Sequence, residues 1–294
     1  MQQVAGSSPV ARFKATWPSG QARDCKSLLR RFESARCLKK NPPTMETYLI
    51  PILASIVAGS INVIAGGGTL ITFPALVFVG LDPLSANITN TVALWLGPFT
   101  SALSYRKTLR ENFSTLKTFL PPSLLGALLG AFLLIYTPSE TFKKAIPFLI
   151  GFATLLLAFS ELILKFITRL GNSSKFLPIL LQFLTAIYGS YFGAGIGIMM
   201  ASSIVLSGVS NMQLTIALKN FLGFVINLLG ALIFVFSGKV AFNFVLVMMP
   251  AFMLGGYLGA VVAKRLNQKT AKAVIVAWGF LLSFVFFIKE FGLL

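Results

Sequence analysis

The sequence predicts an all-α integral membrane protein built from two homologous halves, and three observations lead to this class. The chain has 294 residues, of which 56% are hydrophobic and 11% are charged, with a mean hydropathy of +0.83. A soluble domain carries roughly 25% charged residues, so most of this chain cannot face water. Long apolar runs recur along the chain, and a set of glycine-containing motifs appears twice in the same order.

The charge of the chain indicates lipid as its partner rather than nucleic acid. The net charge of +17 arises from 25 basic and 8 acidic residues, a balance that can favour nucleic-acid binding. Beyond the N-terminal region, however, the basic residues lie between apolar runs, which indicates membrane topology. With no histidine, no paired carboxylates and no Gly-x4-Gly-Lys phosphate loop, the sequence predicts neither an enzyme nor an ATP-driven pump, and no metal or cofactor.

Residues 1–44 form a basic, non-membrane extension. They carry nine Lys or Arg residues, two acids and both cysteines, Cys25 and Cys37, and we expect them to be disordered. Three interpretations stay open: an organelle transit peptide, a basic tail on anionic lipid, or a spurious start, with the protein beginning at Met45. The cysteines therefore give little information about the redox compartment.

Eight apolar segments follow in order along the chain. A hydrocarbon core about 30 Å thick needs about 20 apolar residues per helix. The candidate segments are 48–80, 86–105, 119–136, 144–167, 176–208, 212–236, 241–262 and 271–290. The first and fifth are too long for one crossing, and each contains a glycine cluster near its middle. Reversals of the chain at both clusters would raise the number of membrane segments from eight to ten.

The regions 45–170 and 171–294 are predicted to be repeats of one transmembrane unit. They resemble each other at a spacing of about 129 residues, and this duplication is the usual plan of secondary transporters. The matches are Pro121-x4-Gly126-x3-Gly130 with Pro250-x4-Gly255-x3-Gly259, Gly66–Gly68 with Gly193–Gly197, and Thr89-Asn90 with Lys219-Asn220. The i, i+4 glycines of the first match are predicted to let helices pack closely.

The distribution of basic residues predicts that the two halves are inverted. With a reversal at each glycine cluster, eleven Lys or Arg residues fall on one side, and Lys143, Lys144, Lys239 and Lys289 fall on the other. The positive-inside rule makes the eleven-charge side cytoplasmic. Without the reversals the split is 9 to 6, which decides nothing. Five elements per half is an odd number, so the second half would run opposite to the first.

The glycine clusters are candidates for a substrate site. A helix that restarts after a break presents unpaired N–H groups and a partial positive charge. Two such restarts, one per half, can face each other near the midplane and hold an anion. The alternative is that these glycines only permit close packing. The candidates are Gly66, Gly67, Gly68 and Thr69 in the first half, and Gly193, Gly195 and Gly197 in the second.

Lys219 is the sharpest single candidate. It lies inside an apolar stretch with no carboxylate nearby in the same segment. A lysine at the centre of a membrane helix costs about 2.5–3.5 kcal/mol and by default marks a pathway or a ligand site. A negative substrate group would supply its partner, whereas the alternative is a lysine that snorkels to the headgroups. Neutral candidates, which bind substrate or bridge helices, are Asn87, Asn90, Thr91 and Asn220, with Asn227 a weaker one.

These motifs together resemble the sulfite exporter TauE/SafE family of membrane transporters over about 48–290. The resemblance rests on the stretch 58–76 with its three glycines, Ala86-x2-Thr89-Asn90, the stretch 193–197 and Lys219-Asn220. It implies a multi-pass transporter of the bacterial inner membrane that exports sulfite or organosulfonates. The two halves would move against each other around a small-anion site. A channel or facilitator with a continuous polar pore, and a non-transporting membrane assembly protein, stay as alternatives, and homo-oligomerisation stays open.

Overall fold

The computed structural model describes residues 45–64, 67–170, 176–262 and 268–291. The extension 1–44 and Gly66, one of the predicted site residues, lie outside these ranges. Every regular element within the described ranges is a helix, so the predicted all-α class is confirmed.

Thirteen helices make up the described part of the chain. In order they are α1 Met45–Ile64, α2 Thr69–Phe78, α3 Pro83–Leu94, α4 Leu96–Ser104, α5 Arg106–Glu111, α6 Phe113–Tyr136, α7 Ser139–Ala158, α8 Ser160–Leu170, α9 Phe176–Tyr191, α10 Ile196–Leu206, α11 Met212–Val235, α12 Phe242–Val262 and α13 Gln268–Glu290.

Five of these helices, α6, α7, α11, α12 and α13, are long and apolar enough to cross a membrane. Shorter apolar stretches lie in α1, α2, α9 and α10, the helices of the two predicted broken segments. Large apolar side chains cover outer faces, as Leu246 (71% exposed) on α12 and Phe284 (62% exposed) on α13 illustrate. Such faces suit lipid contact, while the total of eight to ten membrane segments stays a prediction.

Both long segments are broken, as the sequence predicts. The first break separates α1 from α2, and the second separates α9 from α10. In the second break Gly193 and Gly195 have φ values of +82° and +75°, in the left-handed region that favours glycine. The expected position of this break, 193–197, extends two residues too far. The helix already resumes at Ile196, so Gly197 lies in the first turn of α10.

At the second break the chain turns back on itself. The Ser203 hydroxyl of α10 donates to the Gln182 side-chain carbonyl of α9 at 2.8 Å, and these residues lie at similar distances from the break. The Gln182 amide in turn donates to Ser123 of α6 at 2.8 Å. α9 and α10 therefore form a helical hairpin.

The first break also holds its two helices close together. The backbone N–H of Gly68 donates to the Asn62 side-chain carbonyl at 3.3 Å. A methyl group at Gly68 would lie 2.7 Å from the carbonyl oxygen of Ala58, so this turn requires a residue without a side chain. α1 and α2 pack against each other on either side of it.

A further break, which the sequence reasoning missed, divides the expected single segment 86–105 into α3 and α4. Proline has no N–H, and its ring clashes with the carbonyl four residues earlier. Pro98 therefore cannot bond to Leu94, and the helix is interrupted between them at Trp95. The expected segment 144–167 is likewise divided, at Phe159 between α7 and α8.

Helices of the first half pack against helices of the second through glycines. α1 packs along α12, and α9 packs along α6. Methyl groups at the glycines named here would collide with the backbone of the facing helix. Those glycines are Gly59, Gly126, Gly130, Gly255 and Gly259. The predicted packing role of the i, i+4 glycines is confirmed.

α3 and α11 begin in the same way. Asp82 caps α3 by accepting the Leu84 N–H at 3.2 Å. Asn211 caps α11 by accepting the N–H groups of Gln213 and Leu214 at 2.9 and 3.3 Å. The two capping residues are 129 positions apart, and alignment of the helices at these caps pairs Asn90 with Lys219. The expected match of Thr89 with Lys219 therefore shifts by one residue.

Candidate functional site

A small cavity lies where the helix breaks converge beside α11. The volume open to the centre of a water molecule is about 30 Å³, which is about twice what one water requires. The cavity therefore suits a solute of a few heavy atoms. Its lining consists of Asn62, Thr69, Leu94, Pro98, Gly193, Ile196, Gly197, Met200, Lys219, Asn220, Gly223 and Asn227.

The two glycine breaks meet at this cavity. A methyl group at Gly193 would lie 3.9 Å from the hydroxyl oxygen of Thr69, which places the break of the second half beside the start of α2. Thr69 opens α2, and Ile196 and Gly197 open α10. The first N–H groups of a helix have no partner within it and carry a partial positive charge. Two helix starts therefore direct positive potential toward one small space.

Lys219 supplies the one formal charge among the described lining residues. It is the eighth residue of α11 and is 9% exposed, so its side chain does not reach out to the headgroups. Its ammonium group makes no hydrogen bond or ion pair with any residue in the described ranges. Because an ammonium is costly in a membrane unless it is paired or hydrated, this group calls for a polar or negative partner in the cavity.

Three asparagines complete the polar lining. The Asn220 amide donates to the Ser101 hydroxyl of α4 at 2.6 Å. The Asn62 carbonyl accepts the Gly68 N–H, and the Asn227 amide donates to the Gly223 carbonyl at 2.8 Å. Each side chain is held by one neighbour and keeps further hydrogen-bonding capacity for a solute.

The polar residues of the first half are arranged differently. Asn90 accepts the Thr72 hydroxyl at 2.6 Å, and its amide donates to Thr69 at 3.5 Å. The Asn87 amide donates to the Tyr191 carbonyl at 2.8 Å, and the Thr91 hydroxyl donates to the Asn87 carbonyl at 3.0 Å. Asn87, Asn90 and Thr91 do not line the cavity.

The predicted glycines also divide into two groups. Gly193 and Gly197 line the cavity, whereas Gly67, Gly68 and Gly195 do not. Gly68 makes the tight approach to Ala58, and a methyl group at Gly195 would lie 3.3 Å from the carbonyl oxygen of Ala153. These two glycines shape the turns that bring the lining residues together.

Sequence reasoning missed six lining residues: Asn62, Leu94, Pro98, Ile196, Met200 and Gly223. Two of them carried a usable signal. Asn62 is a polar residue just before a glycine break in an apolar run, and Pro98 is a proline inside a predicted helix. The other four are residues that any membrane helix contains.

A family model described as "Sulfite exporter TauE/SafE" matches residues 51–286. Curated relatives are similar over most of their length. A "probable membrane transporter protein" of Haemophilus influenzae is 28% identical over 81% of this chain and 94% of its own length. The protein ORF9 of Sinorhizobium sp, described in the same words, is 30% identical over 76% and 86%. Escherichia coli YfcA, also so described, is 27% identical over 76% and 82%. No solved structure matches the chain significantly.

Proposed function

Because this chain is a membrane transporter that belongs to the sulfite exporter TauE/SafE family, we propose that it is a secondary transporter of small oxyanions. Its substrates would be of the sulfite or organosulfonate type, exported across the bacterial inner membrane. The polar character of the cavity carries this proposal. Two helix starts and one buried ammonium face the same space, and the described lining contains no carboxylate.

The size and charge of the cavity favour a small anion. One ammonium and two helix starts together amount to more than one unit of positive charge, which suits an anion with one or two negative charges. Lysine and backbone N–H groups would bind the oxyanion, while Asn62, Asn220 and Asn227 orient it. The apolar side chains of Leu94 and Met200 would contact a small carbon group of the substrate, next to its charged group.

We further propose that the regions 45–170 and 171–294 are inverted repeats. The matching caps at Asp82 and Asn211 support a common origin of α3 and α11. Contacts at the helix ends support the inversion. Lys143 at the start of α7 lies 3.6 Å from Asp82, and Lys239 donates to the Ile135 carbonyl at 3.4 Å. Lys143 and Lys239 are two of the four basic residues that the charge distribution places opposite the cytoplasmic side.

The opposite end of the bundle agrees with this assignment. Lys272 at the start of α13 lies 3.5 Å from Glu161 at the start of α8, beside the basic residues predicted to be cytoplasmic. α3–α4, α6 and α7 would then cross the membrane once each, as would α11, α12 and α13. Each helical hairpin, α1–α2 or α9–α10, would enter and leave on one side.

Alternating access would require the cavity walls to separate on one side at a time. The expectation that the two halves move as units needs refinement, because glycine contacts join α1 to α12 and α9 to α6. We propose that the moving units are these cross-packed groups. The bond between Asn220 on α11 and Ser101 on α4 bridges the cavity wall and would break during opening.

The test measures efflux from proteoliposomes that contain Lys219→Ala or Lys219→Glu. Both variants should lose sulfite and sulfonate transport while inserting into the membrane normally. Lys117→Ala is the matched control, because Lys117 is an exposed lysine near the start of α6, over the ring of Phe113. Wild-type transport by either Lys219 variant would refute the assignment.

Counterflow separates a carrier from a channel. A carrier preloaded with unlabelled sulfite should accumulate labelled sulfite transiently and should show saturation. A continuous polar pore would show neither behaviour, so linear, non-exchanging flux would favour the channel alternative instead.

A further inference from the structure

A second group of buried oxygen atoms lies between α3, α9 and α11, apart from the cavity lining. Asn87 is fully buried, and its amide nitrogen is engaged by the Tyr191 carbonyl at 2.8 Å. Its side-chain oxygen has no hydrogen-bond partner among the described residues. The hydroxyl of Ser190, which is 1% exposed, is also without a partner there.

These two oxygens belong to one location. The bond from Asn87 to Tyr191 brings Asn87 beside the last turn of α9, which contains Ser190. A methyl group at Gly230 of α11 would lie 3.0 Å from the Ser190 hydroxyl oxygen and 3.4 Å from the Thr91 methyl carbon. Thr91 is one turn from Asn87 on α3. The absence of a side chain at Gly230 thus lets α11 approach Ser190 and Thr91 closely where the three helices meet.

Most of the unused hydrogen-bonding capacity at this location belongs to acceptors. The Asn87 amide hydrogen is used on Tyr191, and the Thr91 hydroxyl hydrogen is used on the Asn87 carbonyl at 3.0 Å. What remains is the Asn87 side-chain oxygen, the lone pairs of the Thr91 hydroxyl, and the Ser190 hydroxyl with both its hydrogen and its lone pairs. The buried occupant must therefore donate hydrogen bonds or be a cation.

Electrostatics favours a cation at this place. α9 ends at Tyr191, and the C-terminal end of a helix carries a partial negative charge. The N–H groups of Phe192 and Gly193 both donate to the Tyr188 carbonyl, at 2.9 and 3.2 Å, so the following carbonyls of this last turn are not satisfied by them. Lys219 lies eleven residues from Gly230 along α11, about 16 Å away at 1.5 Å per residue.

We propose that Asn87, Thr91, Ser190 and the last carbonyls of α9 form a binding site for a monovalent cation of the sodium class. Neutral oxygen ligands suit a hard cation, and the described surroundings contain no carboxylate that would favour a divalent ion. Asp82 caps α3 five residues before Asn87, about 7.5 Å along the helix, so an entry route from that end passes a carboxylate.

The site would also join cation binding to the anion cavity. The negative end of α9 holds the cation, and the positive start of α10 faces the anion cavity, with only residues 192–195 between the two helices. A movement of this hairpin would act on both sites. This coupling rests on the proposed function, whereas cation binding by itself does not.

Thermal unfolding of the purified full chain in detergent tests the binding. At constant ionic strength, NaCl in place of choline chloride should raise the Tm saturably, by about 2–5 °C. Ser190→Ala and Asn87→Leu should lose this rise, while Ser202→Ala should keep it. Ser202 is the matched control because it is another buried serine without a described partner, on α10.

Several results would overturn the proposal. An equal Tm of the wild type in Na⁺ and choline would mean that the location holds water. A sodium effect that Ser190→Ala leaves unchanged would place the ion elsewhere. Ser190→Ala breaks no described hydrogen bond, so it keeps the test decisive if Asn87→Leu fails to fold.

A second measurement distinguishes this inference from the proposed function. Sulfite flux in proteoliposomes is recorded with and without a sodium gradient. Sodium-dependent stability without sodium-dependent flux would keep the cation site and refute its coupling to transport. An absence of sulfite flux by the wild type, with and without the sodium gradient, would refute the oxyanion assignment. The result on cation binding would not be affected.

Discussion

α3 and α11 start with the same kind of cap, 129 residues apart, yet their polar side chains end in opposite situations. On α3, Asn90 is bonded by Thr72 and lies within reach of Thr69, both on the neighbouring helix α2. On α11, Lys219 occupies the matching position, and α10 presents Ile196 and Met200 to the same cavity. One polar group is satisfied inside the protein, and the other has no partner among the described residues.

Under the proposed duplication, this difference would leave the fold with one anion site rather than two. α2 carries threonines that bind Asn90 of its own half, so the described part of that half contributes polar lining only through Asn62 and its helix start at Thr69. α10 carries apolar residues where it faces the cavity, so the second half keeps its cation available. The described lining accordingly takes most of its polar groups from the second half.

The largest effect on stability is expected at the packing glycines, which occur at matching positions of the two regions. A methyl group at Gly126 would collide with the Phe183 carbonyl, and one at Gly255 with the Ile56 carbonyl. Gly126→Ala and Gly255→Ala should each cost about 3 kcal/mol, since neither backbone can withdraw, which lowers the Tm by about 6–12 °C. Gly97→Ala is the control, because nothing lies within 4 Å of that position. A large fall in Tm for only one of the two variants would contradict the correspondence between Gly126 and Gly255.

The next largest effect should come from giving α11 the residue of α3. Lys219→Asn should lower the rate of anion efflux about 100-fold, equivalent to about 3 kcal/mol of lost charge-assisted binding. The folded state should persist, because a buried ammonium is removed. Initial efflux rates and the elution profile in detergent measure the two quantities. Lys117→Asn serves as the exposed control, and unchanged efflux in Lys219→Asn would mean that the two positions are equivalent.

Asn90 of the first half and Asn220 of the second should separate stability from transport. Asn90→Ala removes the acceptor of Thr72 and should lower stability by about 0.6–2 kcal/mol, with an unchanged half-saturation concentration. Asn220→Ala should raise that concentration about three- to tenfold, because Asn220 lines the cavity, at a cost of about 1 kcal/mol in binding. Transport kinetics and Tm are measured on both variants. The reverse pattern would assign the binding role to the first half.

The smallest effect concerns the interruption that only one half has. α11 runs unbroken from Met212 to Val235, whereas Pro98 separates α3 from α4. Pro98→Ala supplies an N–H for Leu94 and should straighten this wall of the cavity, slowing transport about two- to fivefold and raising the Tm slightly. Faster transport, or a lower Tm, would show that the break has another role. Pro121→Ala is a control, because Pro121 is an exposed helix proline away from the cavity.

The elements set by local chemistry could be predicted from the sequence. Apolar runs gave the helices, and the glycine clusters gave both long-segment breaks, because the left-handed backbone at Gly193 and Gly195 is open mainly to glycine. Pro98 gives the break before it a local cause, but Pro121 and Pro250 lie inside unbroken helices, so a proline alone did not predict this break. Lys219 was identifiable because a charge within an apolar run is costly in a membrane unless it is paired or hydrated.

Residues whose role depends on a distant partner could not be predicted in this way. Nothing near Asn90 in sequence reveals that Thr72 uses its carbonyl, and nothing near Asn87 reveals the contact with Tyr191, 104 residues away. The glycine spacing did predict close packing. It did not predict that each glycine-lined helix would pair across the halves, since a flat face fits several neighbours.

The pairing of α1 with α12 sets an order of events during synthesis. Ser60 on α1 donates to the Gly255 carbonyl on α12 at 2.9 Å, across 195 residues of chain. A ribosome adding about 5–20 residues per second would take roughly 10–40 s to produce the second partner after the first. Throughout that interval the nascent chain must keep the small-residue face of its opening helix shielded in the bilayer, by lipid or by an insertion factor, until the matching surface emerges.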